Sequence, residues 1–475
     1  MLFSSINFFF FFLTFYFLYR KLSHKYQNYL LFFGGLFFYS YADYRFTPIL
    51  LFTIVFNYFI GKKIYNYLGT KKSKNIFYFG LFINIFILCF FKYLLFFFTV
   101  LKDLNLTKLD YPKIFLPLGI SFYTFHNISY IFDIYKAKIL PTNSLLVYAI
   151  YDMFFPLLLA GPIERAEKLI PQIINPRNLL FSKTISGVLL FFFGLLKKKV
   201  VADQFGELVE RALGMEVPVG FSLWLCFAMA IQVYADFSGY SDMARGLAKI
   251  LGFELSLNFY HPYFSKNPVE FWKRWHISLS SWLRDYVYIP LGGNKNGLLM
   301  QNINLLFVWF LCGLWHGAGY GYVVWGIYCG LQVIIYHNTK KFIDYAQKKT
   351  KFIYNFSKFL QVCLNIFEFP LLATPLFIFS FGFGLLLFKL SSFEAFVKIF
   401  YNFFPLYWSN ILFLKFIFYL LPLIFLEFYQ IYFQDEDFEK LNFSSKLTFF
   451  GLFCLVLDLL LFSNPDSKEF FYFQF

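Results

Sequence analysis

Long uninterrupted apolar runs constrain this chain more than any other feature of its sequence. One run extends from Asn75 to Thr99 (NIFYFGLFINIFILCFFKYLLFFFT), another from Phe413 to Tyr429, and similar segments recur from end to end. A helix needs about 17–25 such residues to cross the hydrocarbon core of a bilayer. No soluble core requires so many continuous runs, and 59% of the residues are hydrophobic but only 15% charged. The sequence predicts an all-α polytopic membrane protein, with about a dozen transmembrane or re-entrant helices in a single domain over residues 1–475.

The formal net charge of +15 is concentrated in short loops between the apolar runs. Basic residues cluster at 20–25 and at 62–74, as they do in loops on the cytoplasmic side of a membrane. This distribution favours an orienting role in the membrane over nucleic-acid binding. The six cysteines form no C-x-x-C pair, so the sequence predicts neither a disulfide framework nor a metal site.

A segment rich in tryptophan and basic residues, FWKRWHISLSSWLRDYVYIPLGGNKNG, begins at Phe271. The residues before it start a helix, with Asn267 as the N-cap and Pro268 at the first helical position. Projection at about 100° per residue predicts one amphipathic helix at the membrane surface, ended by the glycine-rich turn. Its apolar face carries Trp272, Trp275, His276, Leu279, Trp282 and Leu283. Its opposite face carries Lys273, Arg274, Ser280, Ser281, Arg284 and Asp285.

His276 is the exception on that apolar face, since it is a titratable residue between Trp272 and Leu279. Two interpretations remain open from the sequence. The ring could be satisfied by a neighbouring carbonyl group, as buried histidines often are. Alternatively, the ring could point into a cavity inside the membrane, where polar residues are costly and are usually functional.

His316 interrupts the apolar stretch from Ile303 to Tyr336, within the motif WHGAG. At about 1.5 Å per residue it lies roughly 20 Å along a helix from Ile303, deep in a hydrocarbon core about 30 Å thick. A titratable group at that depth indicates a functional site, although a packing histidine near a helix break is the alternative. Neighbouring glycines such as Gly313 and Gly317 permit a kink and a close helix approach. The separation of 40 positions between the two histidines allows the chain to return to the same cavity.

Two other polar segments are assigned structural roles. Asp236, Asp242 and Arg245, in YADFSGYSDMARG, favour an internal ion pair that orders helices over a catalytic function. Glu164 and Arg165 are expected in a solvated surface loop. Neither segment is therefore predicted to take part in chemistry.

The remaining polar candidates are weaker still. The acidic loop from Gln434 to Lys440 is expected to be solvated surface, and His126 is a weaker intramembrane candidate. Three histidines in or near loops are assigned no role: His24, His261 and His337.

Five distinctive motifs are distributed along nearly the whole chain. They are LPLGISFYTFHNISYIFDIY, AGPIERAEKLIPQ, YADFSGYSDMARGLAKILGFELSLNFYHPYFSKNPVEFWKRWHISLSSWLRDYVYIPLGGN, CGLWHGAGYGYVVWG and FYFQF. A lone WHG would be a weak signal, but in register with R-W-H-x-S-x-S-x-W and D-Y-x-Y-I-P-L-G-G it is specific. Together these motifs resemble the membrane-bound O-acyltransferase family, and in particular its bacterial branch of alginate and peptidoglycan O-acetylation membrane proteins.

The resemblance implies a ring of tilted helices around a central tunnel, with a catalytic centre at about 112–338. It implies His316 as the catalytic residue and His276 as its polar partner, and it gives His126 no catalytic role because the branch often carries Gln there. We expect further residues to bind the donor: Trp272, Lys273, Arg274, Trp275, Ser280, Arg284 and Trp315. The basic members suit the phosphates of an acyl donor, and attraction to anionic lipid is an equal alternative.

The leading hypothesis is transfer of acetyl from acetyl-CoA to a hydroxyl of an extracytoplasmic polysaccharide, either peptidoglycan or an exopolysaccharide such as alginate. His316 would act as general base, a role worth about 10²–10⁴-fold in rate. His276 would orient the donor or polarise its carbonyl. No permanently bound cofactor or metal is expected.

The hypothesis also predicts a location and partners. The protein would be a multi-pass protein of the bacterial cytoplasmic (inner) membrane, in contact with membrane lipid. A separate extracytoplasmic acetyltransferase- or esterase-like protein would complete the transfer. Two alternatives remain: D-alanyl transfer to teichoic acid, and a transporter or scaffold that passes acetyl groups or lipid-linked sugar without chemistry of its own.

Overall fold

The computed structural model describes residues 1–107, 114–159, 161–214, 222–346, 351–389, 410–441 and 444–445. Every regular element within these ranges is a helix, which confirms the all-α prediction for the described part of the chain. The α-helices, numbered in chain order, are α1 (Ile6–Lys21), α2 (His24–Asp43), α3 (Thr47–Asn66), α4 (Lys71–Asp103), α5 (Ile120–Tyr135), α6 (Leu145–Asp152), α7 (Phe155–Leu158), α8 (Ala166–Ile174), α9 (Phe181–Leu196), α10 (Asp203–Gly214), α11 (Ser222–Ile250), α12 (Pro268–Arg274), α13 (Ile277–Leu283), α14 (Gly297–His316), α15 (Tyr320–Ala346), α16 (Lys351–Phe367), α17 (Pro370–Lys389) and α18 (Asn410–Phe433). Two 3₁₀ turns (Tyr44–Phe46 and Pro262–Phe264) and two π-helical turns (Lys197–Ala202 and Arg284–Tyr288) complete the regular structure of these ranges.

Four segments of the described ranges are long and apolar enough to cross a membrane: His24–Asn66, Lys71–Asp103, Gly297–His316 and Phe416–Phe433. A bent helix pair, Tyr354–Phe367 with Leu372–Leu387, adds a fifth if it counts as one span. Several apolar spans in one chain fit the multi-pass membrane protein that the sequence predicts. The larger number of helices expected from the sequence and the central tunnel stay predictions.

Helix α4 shows how one span divides between lipid and protein. Its aromatic side chains Phe79, Phe82 and Phe86 are each more than half exposed, as side chains that face lipid would be. On the buried side, Asn84 exchanges two side-chain hydrogen bonds with Asn57 of α3, at 2.7 and 3.0 Å. Each amide thereby satisfies the other, so the pair joins the two helices at a place where water is not available.

Contacts group the chain into two units. Of the described residues, the first unit comprises those within 1–195, 240–256 and 436–445, and the second comprises those within 196–239 and 257–435. Helix α11 contributes its first part to the second unit and its last part to the first unit. The single catalytic domain expected over residues 1–475 stays a prediction.

The first unit contains a cluster of opposite charges, which we call the ion-pair centre: Arg245, Lys249, Asp437 and Glu439. Arg245 donates a hydrogen bond to Asp437. The ammonium nitrogen of Lys249 lies 2.7 Å from Asp437 Oδ2, 2.5 Å from Glu439 Oε1 and 3.5 Å from a carboxylate oxygen of Glu254. The carboxylates of Glu254, Asp437 and Glu439 come close enough together to hold a metal ion, but they already contact this ammonium group.

The structure corrects in part the prediction that the acidic loop from Gln434 to Lys440 is solvated surface, since Gln434, Glu439 and Lys440 are exposed but Asp435 and Phe438 are buried. Phe438 is fully buried and stacks on Phe193 with ring centroids 4.4 Å apart. Asp437 pairs with Arg245, a residue 192 positions earlier in the sequence. The loop is therefore held against the fold at Asp437 and Phe438, by partners that local sequence reasoning cannot identify.

The prediction of a solvated Glu164 is also wrong. Its side chain is only 2% exposed. Its carboxylate accepts hydrogen bonds from the backbone N–H and the hydroxyl of Ser256, which compensate for the loss of water. Burial raises the pKa of the Glu164 carboxyl, and the bonds from Ser256 oppose that rise.

Internal ion pairing, predicted for Asp236, Asp242 and Arg245, is confirmed as two separate pairs. In the second unit Asp236 lies 2.7 Å from Lys198. In the first unit Arg245 lies 3.6 Å from Asp242, one helical turn away on α11. These charges therefore order the helices that carry them.

Candidate active site

The chain changes direction at His276, between two short helices of the second unit. The predicted start is confirmed, since Asn267 caps α12 by accepting a hydrogen bond from Glu270 N and Pro268 opens the helix. The predicted continuous amphipathic helix is wrong. Helix α12 ends at Arg274, and α13 begins at Ile277 after His276 adopts a left-handed conformation with φ of 44°.

Asn258 provides the physical reason for this break. Its backbone carbonyl accepts a hydrogen bond from Ile277 N at 2.9 Å, and Tyr260 N donates to Arg274 O at the same distance. The extended segment at 258–260 therefore pairs with the chain on both sides of His276. This pairing compensates for the left-handed backbone, which a residue with a side chain adopts only at a cost.

Aromatic rings enclose the imidazole of His276. Phe237 meets it edge to face with centroids 4.6 Å apart, and the Trp315 ring lies 5.6 Å away. The side chain of His276 is 2% exposed. Its environment is therefore apolar on most sides, and its orientation is fixed by packing.

His316 is the last residue of α14, immediately before the break that separates α14 from α15. The predicted interruption of the apolar stretch is thus confirmed. The His316 ring lies 4.9 Å from Trp315 and 4.8 Å from Trp325, so it is held between two indoles. The helix starts at Gly297 rather than near Ile303, which places His316 at the end of the span; its depth in a bilayer stays a prediction.

Glycines allow α14 and α15 to pack closely beside His316. A methyl group at Gly313 would overlap with the carbonyl oxygen of Tyr322, and one at Gly326 would overlap with that of Trp309. The close helix approach predicted from Gly313 is confirmed. Gly326 was not singled out in the sequence, although it lies one helical turn from Tyr322.

Both histidines line one cavity of about 240 Å³ in the second unit. Its lining comprises Trp272, Trp275, His276, Leu279, Ser280, Leu283, Arg284, Tyr288, Leu305, Val308, Trp309, Cys312 and His316. The walls are mainly aromatic and aliphatic. Only a few polar groups converge on the space, which is the usual composition of a small-molecule site.

The structure separates the predicted site residues into two groups. Six of them line the cavity: Trp272, Trp275, His276, Ser280, Arg284 and His316. The other three are not among its described lining: Lys273, Arg274 and Trp315. Lys273 is exposed, Arg274 pairs with Glu270 at 2.6 Å, and Trp315 is buried with its ring close to both histidines.

This arrangement agrees with a family match over most of the chain. Residues 35–374 match the family model of the membrane-bound O-acyltransferases. The chain belongs to the membrane-bound O-acyltransferase family. The family is one of membrane-bound acyltransferases, and its match agrees with the membrane protein that the sequence predicts.

Curated relatives place it near O-acetylating members of that family. It is 38% identical to the probable alginate O-acetylase AlgI of Pseudomonas aeruginosa over 70% of this chain and 66% of the relative. It is 35% identical to the peptidoglycan O-acetyltransferase of Helicobacter pylori over 65% of each. It is 29% identical to the teichoic acid D-alanyltransferase of Bacillus subtilis over 50% of this chain and 62% of the relative. The matched region thus spans about two thirds of each relative's length or less.

Two polar groups of the second unit were not predicted from the sequence. Asn258, in the segment LSLNFYHPYF, gave no signal of its own, yet it contacts both His276 and Ser278. His261 was assigned no role, but its Nδ1 lies 2.5 Å from Glu427 Oε2 of α18. Tyr234 donates to the other oxygen of Glu427 at 2.5 Å. A lone glutamate inside an apolar run is the signal that could have revealed the second group.

His126 belongs to the first unit and is not among the residues that line the cavity. It is 2% exposed, and its ring lies 5.2 Å from that of Tyr151. We give it no role in the chemistry, as expected from the sequence.

Proposed function

We propose that this enzyme transfers acetyl groups from acetyl-CoA, taken up on the cytoplasmic side, to hydroxyl groups of an extracytoplasmic polysaccharide. The observation that supports this proposal most strongly is that two buried histidines, His276 and His316, line the same cavity although they are 40 residues apart in sequence. The alginate and peptidoglycan O-acetylating relatives support acetyl as the transferred group. No permanently bound cofactor or metal is part of the proposal.

The reaction requires one base and one leaving thiol. The oxygen of the acceptor hydroxyl attacks the thioester carbonyl while the imidazole of His316 removes its proton. A carbon–oxygen bond forms, the carbon–sulfur bond breaks, and the proton passes from His316 to the departing thiolate. The products are the O-acetyl ester and free CoA, and general-base assistance of this kind is worth about 10²–10⁴-fold.

The proposal places the enzyme in the cytoplasmic (inner) membrane of a bacterium, with an extracytoplasmic acetyltransferase- or esterase-like protein as its partner. Peptidoglycan and alginate are both proposed acceptors, because the identities of 35% and 38% to the two kinds of relative are similar. Mass analysis of wall and secreted glycans from a deletion strain separates them. Loss of O-acetyl from one glycan identifies the acceptor, and full acetylation of both contradicts the proposal.

D-alanyl transfer to teichoic acid is the second candidate, supported by the relative in Bacillus subtilis. Its lower identity and coverage make acetyl transfer the better supported function. Supplying purified protein with acetyl-CoA distinguishes the two, and it also tests the transporter or scaffold alternative. Release of free CoA supports the acetyltransferase, whereas a scaffold would leave the thioester intact.

A further inference from the structure

Hydrogen bonding determines which nitrogen of His276 carries the proton. Asn258 Oδ1 lies 3.1 Å from His276 Nδ1, 2.9 Å from Ser278 Oγ and 3.2 Å from Ser278 N. The backbone N–H of Ser278 is always a donor, so the atom that it meets must be the amide oxygen of Asn258. An amide oxygen only accepts, and Nδ1 of His276 must therefore donate. The other ring nitrogen, Nε2, then carries a lone pair.

This lone pair belongs to a buried atom beside the cavity. Nε2 of His276 accepts no hydrogen bond from any residue that the structure describes, and the ring lines the cavity. Burial lowers the pKa of His276 to about 3, so the ring is neutral at physiological pH. A neutral ring in this tautomer has no hydrogen at Nε2 to give to a thioester carbonyl. Of the two roles expected for His276, polarising the carbonyl is excluded and orienting the donor remains.

The missing partner of Nε2 must bring an N–H or O–H group. The reacting hydroxyl of the acceptor has one hydrogen, which the proposed mechanism gives to His316. The pantetheine arm of an acyl-CoA carries an amide N–H two carbons from the thioester sulfur. The cavity of about 240 Å³ is large enough for the acetyl thioester and this first amide.

We propose that Asn258 is a positioning residue that holds Nδ1–H of His276, so that Nε2 accepts a hydrogen bond from the amide N–H nearest the thioester of the acyl donor. This inference rests on the proposed function, because it requires a pantetheine thioester. It gives the two histidines separate partners. His316 meets the acceptor hydroxyl, and His276 meets the arm of the donor.

Two small thioesters test the proposal directly. S-acetyl-N-acetylcysteamine keeps the amide N–H, and S-acetyl-2-mercaptoethyl acetate has an ester oxygen in its place. Release of free thiol is measured with full-length purified protein and an alginate or peptidoglycan oligosaccharide as acceptor. Wild-type protein should use the amide thioester about tenfold better in kcat/KM, the effect of one neutral hydrogen bond.

Three variants test whether Asn258 causes this preference for the amide thioester. Asn258→Ala should reduce the preference to within about twofold, because the ring is no longer held in one tautomer. Asn258→Asp keeps an accepting oxygen and should retain the preference. Ser278→Ala is the matched control, since it removes a different hydrogen bond to the same Oδ1 and leaves the bond from His276 Nδ1 in place. This variant should also retain the preference.

The outcomes separate this inference from the proposed function. Equal use of both thioesters by wild-type protein, or a preference that persists in Asn258→Ala, overturns the role of Asn258. Equal slowing of both thioesters by Asn258→Ala, with the preference unchanged, also overturns it and indicates a different partner for Nε2. Failure of wild-type protein to release thiol from acetyl-CoA or from either thioester contradicts acetyl transfer itself. If Asn258→Ala does not fold, the inference is tested by the wild-type preference for the amide thioester and by whether Asn258→Asp retains that preference.

Discussion

The cavity at His276 and the ion-pair centre at Arg245 are both buried and polar, but they differ in how their polar atoms are satisfied. At the ion-pair centre, Lys249 contacts three carboxylates and Arg245 donates to Asp437. At the cavity, Nε2 of His276 is a buried atom that receives no hydrogen bond from the described residues, on a ring that lines the cavity. A cluster of opposite charges that neutralise one another stabilises the fold, whereas an unsatisfied acceptor beside a cavity can bind a substrate.

This difference predicts two kinds of damage from mutation. Changes at the cavity should lower turnover while the protein accumulates normally. Changes at the ion-pair centre should lower stability while the folded molecules keep their turnover. A cavity variant that loses stability, or an ion-pair variant that loses turnover per folded molecule, would contradict this distinction.

The largest effect is expected for His316→Ala. Removing the proposed base should reduce O-acetylation in cells by about 10²–10⁴-fold, with the protein still inserted and accumulated. Glycan O-acetyl content, normalised to membrane protein by immunoblot, provides the measurement. His337→Ala is the matched control, since that ring contacts Gln301 and does not line the cavity. Full acetylation by His316→Ala would remove the catalytic assignment, and loss of the protein itself would indicate a packing role.

The next effect is expected for Arg245→Met at the ion-pair centre. Arg245 is buried and pairs with Asp437, which would keep only Lys249 as a partner after the substitution. Because part of the charge stays compensated, we expect a loss of about 2–3 kcal/mol of unfolding free energy, at or below the cost of breaking a fully buried pair. Thermal unfolding in detergent measures this change, and turnover per folded molecule should stay at the wild-type level.

Lys183→Met supplies the comparison for that variant. Lys183 pairs with Glu254 at 2.8 Å, but both side chains are more than 40% exposed. An exposed pair contributes only about 0–1 kcal/mol, so this variant should unfold close to the wild-type temperature. Equal destabilisation by the two variants would show that burial is not what gives the ion-pair centre its importance.

Apart from the Lys183→Met control, the smallest effect is expected for Gly326→Ala. The added methyl group would overlap with the carbonyl oxygen of Trp309, so α14 and α15 would have to move apart at a cost of about 1–3 kcal/mol. Because Trp309 and His316 line the cavity, activity should also fall. Gly319→Ala serves as the control, since a methyl group there would lie 3.4 Å from the Tyr322 ring, an ordinary contact. Equal activity and stability of Gly326→Ala and Gly319→Ala would contradict the role assigned to this packing.

Local sequence signals predicted the boundaries of the site well. Asn267 and Pro268 correctly indicated the start of α12, and the glycines after Trp315 indicated the break between α14 and α15. These signals work because capping and glycine flexibility depend on a few adjacent residues. The all-α membrane class followed from apolar runs for the same reason.

Long-range partners could not be predicted from the sequence. The left-handed turn at His276 depends on Asn258, 18 residues earlier, and no property of histidine itself indicates it. Asp437 and Glu164 appeared to be solvated because their partners lie 192 and 92 residues away. A polar residue is read as exposed until its partner is known, and only the folded chain supplies that partner.

The central claim is that the two histidines of the cavity have different tasks, and kcat and KM for acetyl-CoA in His316→Gln and His276→Gln test it most directly. Glutamine cannot take up the acceptor proton, so His316→Gln should show no turnover while acetyl-CoA binding is little changed. The amide oxygen of glutamine can still accept a hydrogen bond, so His276→Gln should retain measurable turnover with weakened donor use. An active His316→Gln beside an inactive His276→Gln would contradict the account and reverse the two roles.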